Sequence, residues 1–351
     1  MNADKNAKPK SANRLRPMAR TPKMRETIDP HEVRVFSGSS HPELAAGIAA
    51  YLGVPLEETH VRHFSNDNLY VQLGASVRER TVYIVQSLTP PASDHLLELL
   101  MMLDIARGAA AKAVHAIIPY FSFARSDKKD APRISITARL IADLLETAGA
   151  THVMTMTLHS PQVHGFFGVP TDPLTARGLF VQHFQKQFRK KDLRDTVVIA
   201  PDAGRAKSAG RFAEQLGLPT VSAEKTRLSE KAVQISSLVG KQVKGFRRAI
   251  IYDDEIATGG SILAVSDLLI KNGVEEICAV CTHGVFTGQS LERLSAIPQI
   301  TAIVTTDTVP IPEEKRTPYM TVLSVAPVFG EAIRRNYCQR SIGNLFSFWD
   351  E

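Results

Sequence analysis

From Val33 onward, short apolar runs rich in β-branched residues alternate with stretches of helical periodicity, and this alternation restricts the fold more than any other feature. Strands are predicted at 33–36, 60–64, 69–73, 81–85, 113–118, 152–157, 197–200, 248–252, 276–282 and 301–304. Helices are predicted between them at 42–52, 94–107, 136–147, 180–188, 207–216, 263–270 and 291–294. Ser39 and Ser40 read as caps of the first helix and Gly53 as its stop. Such a chain folds as α/β, with parallel sheets covered by helices and ligands bound beyond the carboxyl ends of strands. The series falls into two halves of similar make-up with a break near Pro170–Pro173, which implies a duplicated architecture without a sequence repeat.

The chemistry concentrates in 248–263, Arg-Ala-Ile-Ile-Tyr-Asp-Asp-Glu-Ile-Ala-Thr-Gly-Gly-Ser-Ile-Leu. Asp253 and Asp254 sit where the strand is expected to emerge, and a helix follows until Asn272-Gly273 stops it. The glycines let backbone N–H groups approach an anion, Thr258 and Ser261 add hydroxyl donors, and the helix N-terminus favours negative charge. Two carboxylates accept hydrogen bonds from paired sugar hydroxyls, so the stretch suits a sugar phosphate. It lacks the lysine of a P-loop and the glycine spacing of a dinucleotide site. A Gly-Gly turn between strand and helix also occurs without any ligand, so this stretch does not decide function alone.

With 351 residues the chain is long enough for two domains. No apolar run reaches the length of a membrane span, so no membrane partner is expected. Cys278 and Cys281 are separated by an odd spacing on a strand, which points them to opposite faces and against a metal or redox pair. Together with Cys338 they make three cysteines, which suits a reducing cytoplasm rather than a disulfide framework. Residues 1–30 hold eight Lys or Arg against three Asp or Glu, which is +5 of the +6 formal charge. The body is therefore nearly neutral and no nucleic-acid partner is expected. Residues 1–32 form a polar, unpatterned basic tail without the apolar core of a secretion signal, expected to be disordered.

A long, ordered set of motifs surrounds the acidic loop. Phe36-Ser-Gly-Ser-Ser-His, His63-Phe-Ser-Asn-Asp-Asn, Val82-Tyr-Ile-Val-Gln-Ser and Ile118-Pro-Tyr-Phe-Ser-Phe-Ala-Arg-Ser-Asp come first. Leu158-His-Ser-Pro-Gln-Val-His-Gly-Phe-Phe, Ala200-Pro-Asp-Ala-Gly, Lys225-Thr-Arg, Thr282-His-Gly-Val-Phe and Glu331-Ala-Ile-Arg-Arg follow. From about Val33 to Phe346 the succession resembles the ribose-phosphate pyrophosphokinase (phosphoribosyl pyrophosphate synthase) family. The resemblance implies two type I phosphoribosyltransferase-like domains, each a mostly parallel sheet flanked by helices. Their expected bounds are 33–173 and 174–326, with 327–351 a helix and tail packing back on the first domain.

The resemblance further implies transfer of the β,γ-diphosphoryl group of Mg-ATP to the anomeric hydroxyl of ribose 5-phosphate. Lys225 and Arg227, in a polar stretch, match the catalytic loop, where a point charge and a bidentate fork suit developing phosphoryl charge. Phe64, Asn66, Asn68, Arg125, Ser126, Asp127 and His159 match the ATP site. Asp253, Asp254, Ala257, Thr258, Gly259, Gly260 and Ser261 match the ribose 5-phosphate loop. His159 and Asp202 match the Mg²⁺ site, although Asp202 serves equally as a helix cap. Phe64 is implied to stack on the base across a subunit contact, in a homo-oligomer of dimers assembling into a hexamer. Several positions depart from the family's pattern: Asn66 and Asn68 replace acidic residues, Thr157 and Gly168 replace aspartates while Asp172 is kept, Arg205 replaces a glycine, Ser126 a glutamine and Ala257 an aspartate. These departures leave two alternatives to a synthase: a diphosphotransferase for another sugar phosphate or nucleotide, and a non-catalytic subunit.

Overall fold

The computed structural model describes residues 27–188, 194–223, 225–227, 233–235 and 242–345. The basic tail therefore lies mostly outside the described residues. The first half runs through β1 (Val33–Ser37), α1 (Pro42–Leu52), β2 (Leu56–Glu57) and a ribbon, β3 (Thr59–His63) with β4 (Leu69–Leu73). It continues through β5 (Thr81–Val85), α2 (Ala92–Gly108), β6 (Ala113–Ile118), α3 (Thr137–Ala148), β7 (His152–Met156) and β8 (Thr171–Leu174). The second half opens with α4 (Arg177–Phe188), β9 (Thr196–Ala200), α5 (Ala206–Leu216), β10 (Thr220–Ser222) and a ribbon, β11 (Lys225–Arg227) with β12 (Val233–Ile235). Then come β13 (Arg248–Ile256), α6 (Gly260–Lys271), β14 (Glu276–Gly284), α7 (Ser290–Ser295), β15 (Ile300–Thr306), β16 (Met320–Leu323) and α8 (Ala326–Tyr337).

The strands build two six-stranded sheets, β2-β1-β5-β6-β7-β8 and β10-β9-β13-β14-β15-β16. Every pairing within them is parallel. The two orders are the same once each ribbon is set aside, and each ribbon is inserted after the edge strand that follows the first helix. The duplication inferred from composition is therefore a duplication of topology. In both sheets the strand order reverses beside the first strand, where an α/β sheet offers a crevice to ligands.

Period-two alternation assigns the faces. Tyr83 and Val85 pack into a core shared by both halves, together with Ile250 and Tyr252. Val82 and Ile84 face the core under α2 and α3, while Ala249 and Ile251 face the core under α6. Cys278 packs against the shared core and Cys281 lies in the α6 core, so their thiols point to opposite faces. Pro173 is accommodated because β8 is an edge strand, paired on one side only with β7. The C-terminal α8 lies against α1, where Tyr51 Oη donates to Glu331 Oε2 at 3.0 Å, and Tyr337 Oη donates to Glu32 at 2.8 Å. Among the described residues no helix is long and apolar enough to cross a membrane.

The first helix begins differently from its sequence reading. Its cap is His41, whose Nδ1 accepts from Leu44 N–H, not Ser39 or Ser40. The serines are drawn into a hydrogen-bond network instead, Ser40 buried and Ser39 at its exposed edge. Ser39 N–H and Oγ donate to Glu98 at 2.6 and 2.5 Å, and Ser40 N–H and Oγ donate to Gln86 Oε1 at 3.1 and 2.6 Å. A side chain at Gly38 is excluded, because its Cβ would lie 2.2 Å from Gln86 Oε1. The donors of the loop after β1 are thus engaged by the protein's own polar groups.

Candidate active site

The strand β13 runs further than its apolar pattern suggests. Asp253 and Asp254 lie inside it rather than at its exit, and pairing with β14 continues to Ile256. The ladder hydrogen bonds of β14 extend the strand through residues whose side chains alone would favour a loop. Both carboxyls are consequently buried, at 9% and 4% exposure. Beyond them Gly259, at φ 73°, forms the left-handed turn that starts α6, and no side chain caps the helix. Thr258 and Gly260 are exposed at this N-terminus. An uncapped helix end beside a buried acidic pair offers donors to a phosphate and acceptors to sugar hydroxyls.

Residues of the first half reach this strand from the carboxyl ends of β6 and β7. His159 Nδ1 lies 2.7 Å from Asp254 Oδ2, and Arg125 Nη1 lies 3.4 Å from Glu255 Oε1. The ionised carboxylate is an acceptor only, so Nδ1 carries a proton and Nε2 is the ring nitrogen left for another partner. Asp127 accepts from Ser160 Oγ at 2.5 Å and from Gln162 Nε2 at 3.2 Å, which ties the Arg125 loop to the His159 loop. His283 Nε2 donates to the carbonyls of Met156 and Thr157 at 3.1 and 3.2 Å, joining β14 to the end of β7. Thr157, which stands where the family pattern has an aspartate, also accepts from Thr282 Oγ1 at 3.2 Å.

Asp202 follows β9, the neighbour of β13, and its Oδ1 accepts from Arg205 N–H at 3.1 Å. It therefore does cap the turn Ala203–Arg205 that leads into α5. Arg205 turns its side chain into the cleft. One Nη lies 3.5 Å from Asp254 Oδ2 and the other donates to the His159 carbonyl. Burial pushes the Asp253 carboxyl well above its usual range, and the Asp254 charge adds to that rise. Burial would raise Asp254 too, but the His159 hydrogen bond and the Arg205 charge hold it below the usual range. The two acids thus divide, one tending to keep a proton and the other fully ionised. Burial also raises Glu255, against the opposing charge of Arg125.

Other candidates are placed elsewhere. Phe64, Asn66 and Asn68 lie at the tip of the β3–β4 ribbon, where Phe64 meets Tyr70 edge-on and Asn66 accepts from Asn68 N–H at 3.3 Å. Phe64 is 48% exposed, with the Arg62 guanidinium 5.3 Å from its ring centre. The backbone of Lys225 and Arg227 is strand, paired with Val233–Ile235, rather than the expected loop; the β-branched partners favour that ladder. Their side chains lie outside what the structure describes. Asp172 does not join His159. It sits at the other end of the sheet, 2.8 Å from His152 Nε2, because β7 and β8 pair Met154 with Asp172. There it lines an open cavity of about 800 Å³ with His115, His152 and Arg340. Gly168 faces Glu146, whose Oε2 would lie 2.4 Å from an added Cβ, so an aspartate there would meet a like charge.

Glu255, Arg205, His283 and Tyr120, whose ring lies 4.9 Å from that of His283, escaped the sequence reading as site residues. Glu255 adjoins the acidic pair, Tyr120 and His283 lie inside the ordered motifs, and Arg205 stands three residues after Asp202 where the family pattern has a glycine. Among the described residues no cluster of three or more His, Cys, Asp or Glu is arranged to hold a metal. His159 Nε2 and the second oxygen of Asp202 are the donors among the expected residues that would be offered to Mg²⁺. Mg²⁺ is commonly held by one or two carboxylates, with waters and substrate phosphates completing the shell, so Asp202 is the more usual donor of the pair. The His159–Asp254 contact also has the form of an outer-shell carboxylate orienting a metal-binding imidazole.

Comparison with known proteins gives the family. A family model described as the N-terminal domain of ribose phosphate pyrophosphokinase matches residues 33–149, and one described as the phosphoribosyl synthetase-associated domain matches 226–347. A ribose-phosphate pyrophosphokinase of Deinococcus radiodurans is 44% identical over 89% of this chain and 97% of the relative. The chain belongs to the ribose-phosphate pyrophosphokinase family. A Streptomyces coelicolor protein, given that name only provisionally, is 49% identical over 90% of this chain and 98% of its own. The fold of the family is seen in phosphoribosylpyrophosphate synthetase from Mycobacterium smegmatis. It superposes with a TM-score of 0.80 at 36% identity, over 87% of this chain and 99% of that one.

Proposed function

We propose that the protein is a ribose-phosphate pyrophosphokinase. It transfers the β,γ-diphosphoryl group of ATP to the anomeric hydroxyl of ribose 5-phosphate and releases AMP. A bond forms between the anomeric oxygen and the β-phosphorus, the bond from that phosphorus to the α,β-bridging oxygen breaks, and the hydroxyl gives up its proton. The observation that carries this reading is the meeting of Asp254 and the open N-terminus of α6 with His159 and Arg125 from the other half. That arrangement sets a sugar-phosphate cradle against a nucleotide-side cation within one cleft.

In this reading Asp253 and Asp254 accept hydrogen bonds from the ribose hydroxyls, and Ala257 to Ser261 hold the 5-phosphate on backbone N–H groups. Phe64, Asn66 and Asn68 read the base, while Arg125, Ser126, Asp127 and His159 hold the nucleotide. Lys225 and Arg227 meet the charge that develops on the transferred group. His159 and Asp202 hold Mg²⁺, which supplies charge neutralisation on the phosphates when bound. The exposed ribbon tip is best used by a neighbouring copy, which favours a homo-oligomer of dimers assembled into a hexamer. The two halves act as domains over 33–173 and 174–326, with the segment after 326 fastened to the first, and the enzyme works in the cytoplasm. Incubation with Mg²⁺, ribose 5-phosphate and each nucleoside triphosphate tests the reading. A nucleoside monophosphate product indicates diphosphoryl transfer, whereas a diphosphate product, or none, removes it.

A further inference from the structure

The chain leaves β7 through a residue held in a conformation that it would not adopt by itself. Thr157 has φ 43°, and among the described residues it is the only β-branched one in the left-handed region. That region is disfavoured roughly five- to thirtyfold for an L-residue, and a second branch on Cβ adds to the crowding. Three polar atoms of Thr157 are engaged from outside β7. Its N–H donates to the Leu174 carbonyl at 2.9 Å, its carbonyl accepts from His283 Nε2 at 3.2 Å, and its Oγ1 accepts from Thr282 Oγ1 at 3.2 Å. Thr282 and His283 are buried residues of β14, in the other half. Two positions after Thr157, His159 Nδ1 reaches Asp254 Oδ2 at 2.7 Å, again in the other half.

We infer that Thr157 is a positioning residue, whose strained turn, clamped by β14, aims the chain so that His159 meets Asp254. Strained backbone persists where its surroundings over-determine it, and here they do so from both halves. Extended backbone at 157 would continue the line of β7 instead of turning it. The strand β14 pairs directly with β13, the strand that carries Asp254. The clamp on Thr157 and the target of His159 are therefore neighbours in one sheet. Where the family pattern has an aspartate, the threonine hydroxyl gives Thr282 Oγ1 an acceptor without adding a charge. That the turn serves catalysis rests on the reading of His159 as a nucleotide-side residue; the turn itself does not.

Four variants separate positioning from packing. Thr157→Val keeps the shape and the strain but loses the acceptor, whereas Thr157→Gly loses the shape and the strain together. Thr157→Asn keeps an acceptor on a residue that tolerates the left-handed region, and Thr282→Val removes the hydroxyl on the other side. Losing one neutral hydrogen bond from the clamp should lower the population of the strained turn roughly two- to tenfold. Thr157→Val and Thr282→Val should each lower kcat by about that factor, and the double variant should be no worse than either. Thr157→Asn should stay within about twofold of the wild type, and Thr157→Gly should retain more kcat than Thr157→Val. A threonine that only packs gives the opposite order, with valine harmless and glycine harmful. Wild-type kcat in Thr157→Val, or less in Thr157→Gly than in Thr157→Val, overturns the inference. If Thr157→Val does not fold, wild-type kcat in Thr282→Val overturns it instead. Crystal structures of the variants read the geometry without any assay of turnover. The turn should open in Thr282→Val and carry His159 beyond hydrogen-bond distance of Asp254; an unmoved His159 refutes the inference, whereas a wild type without diphosphoryl transfer removes only the reading of the cleft.

Discussion

Replacing Gly259 by Ala separates backbone strain from ligand contact in the sugar-phosphate loop. Gly259 has φ 73°, and an added Cβ would meet only Leu294 side-chain carbons at 3.7 to 3.8 Å, an ordinary contact. The penalty is then conformational, about 1–2 kcal/mol for an L-residue held in the left-handed region. The chain can escape it by relaxing the turn, which would rotate the first N–H groups of α6 away from the phosphate. A strain of about 1.4 kcal/mol costs tenfold in the population of the binding conformer, so ribose 5-phosphate affinity should fall roughly tenfold. The melting temperature should drop by only about 2–4 °C, since the core beneath is untouched. Gly260 has no left-handed requirement, and a Cβ there would lie 3.7 Å from Thr258 Oγ1. Gly260→Val should therefore leave stability nearly unchanged while its branched side chain blocks the approach of a phosphate oxygen. Titration calorimetry with ribose 5-phosphate, paired with thermal melts, reads both effects. Wild-type affinity in Gly259→Ala would refute the strain argument, and wild-type affinity in a folded Gly260→Val would refute the phosphate cradle.

Lys225→Ala and Arg227→Ala should each lower turnover far more than they weaken nucleotide binding, and equal losses in both would mark ground-state contacts. Asn66 and Asn68 carry amide donors as well as acceptors, so GTP should serve beside ATP; an Asn66→Asp, Asn68→Glu double variant should prefer ATP several-fold more sharply, read from initial rates. His283 is buried, which lowers its pKa from 6.5 to about 4. The unfolded chain therefore takes up a proton between pH 6.5 and 4 that the folded protein refuses, so stability falls as pH falls through that window and levels off below it. At pH 5 the loss is about 2 kcal/mol relative to neutral pH, measurable as a lower urea midpoint and reduced in a folded His283→Gln variant.

Much of this was legible in the sequence because strands and helices declare themselves through their own faces. The alternation of Tyr83 and Val85 against Val82 and Ile84, or of Cys278 against Cys281, depends on residues a few positions apart. The strand β8 was harder, since Thr171-Asp-Pro-Leu carries a proline that only an edge position permits. The extent of β13 was set by its neighbour β14, not by its own composition. The acidic loop and His159 were visible as motifs, yet their contact spans 95 positions and no local pattern encodes it. Arg205 shows the limit most clearly. In the sequence it is a large residue in a small residue's place, and only the folded cleft shows what its charge faces.

The two sheets share one strand order, but their crevices differ in content. At the first, Glu98 is 2% exposed and Gln86 fully buried, both spent on Ser39, Ser40 and the backbone near them. To admit a phosphate there, a substitution would have to remove an anion, reopen the loop after β1 and leave none of these buried donors stranded, at a cost of about 1–3 kcal/mol for each one left unmatched. Saturation with ribose 5-phosphate should accordingly end at one molecule per chain, and the symmetry of the fold will be absent from its binding isotherm.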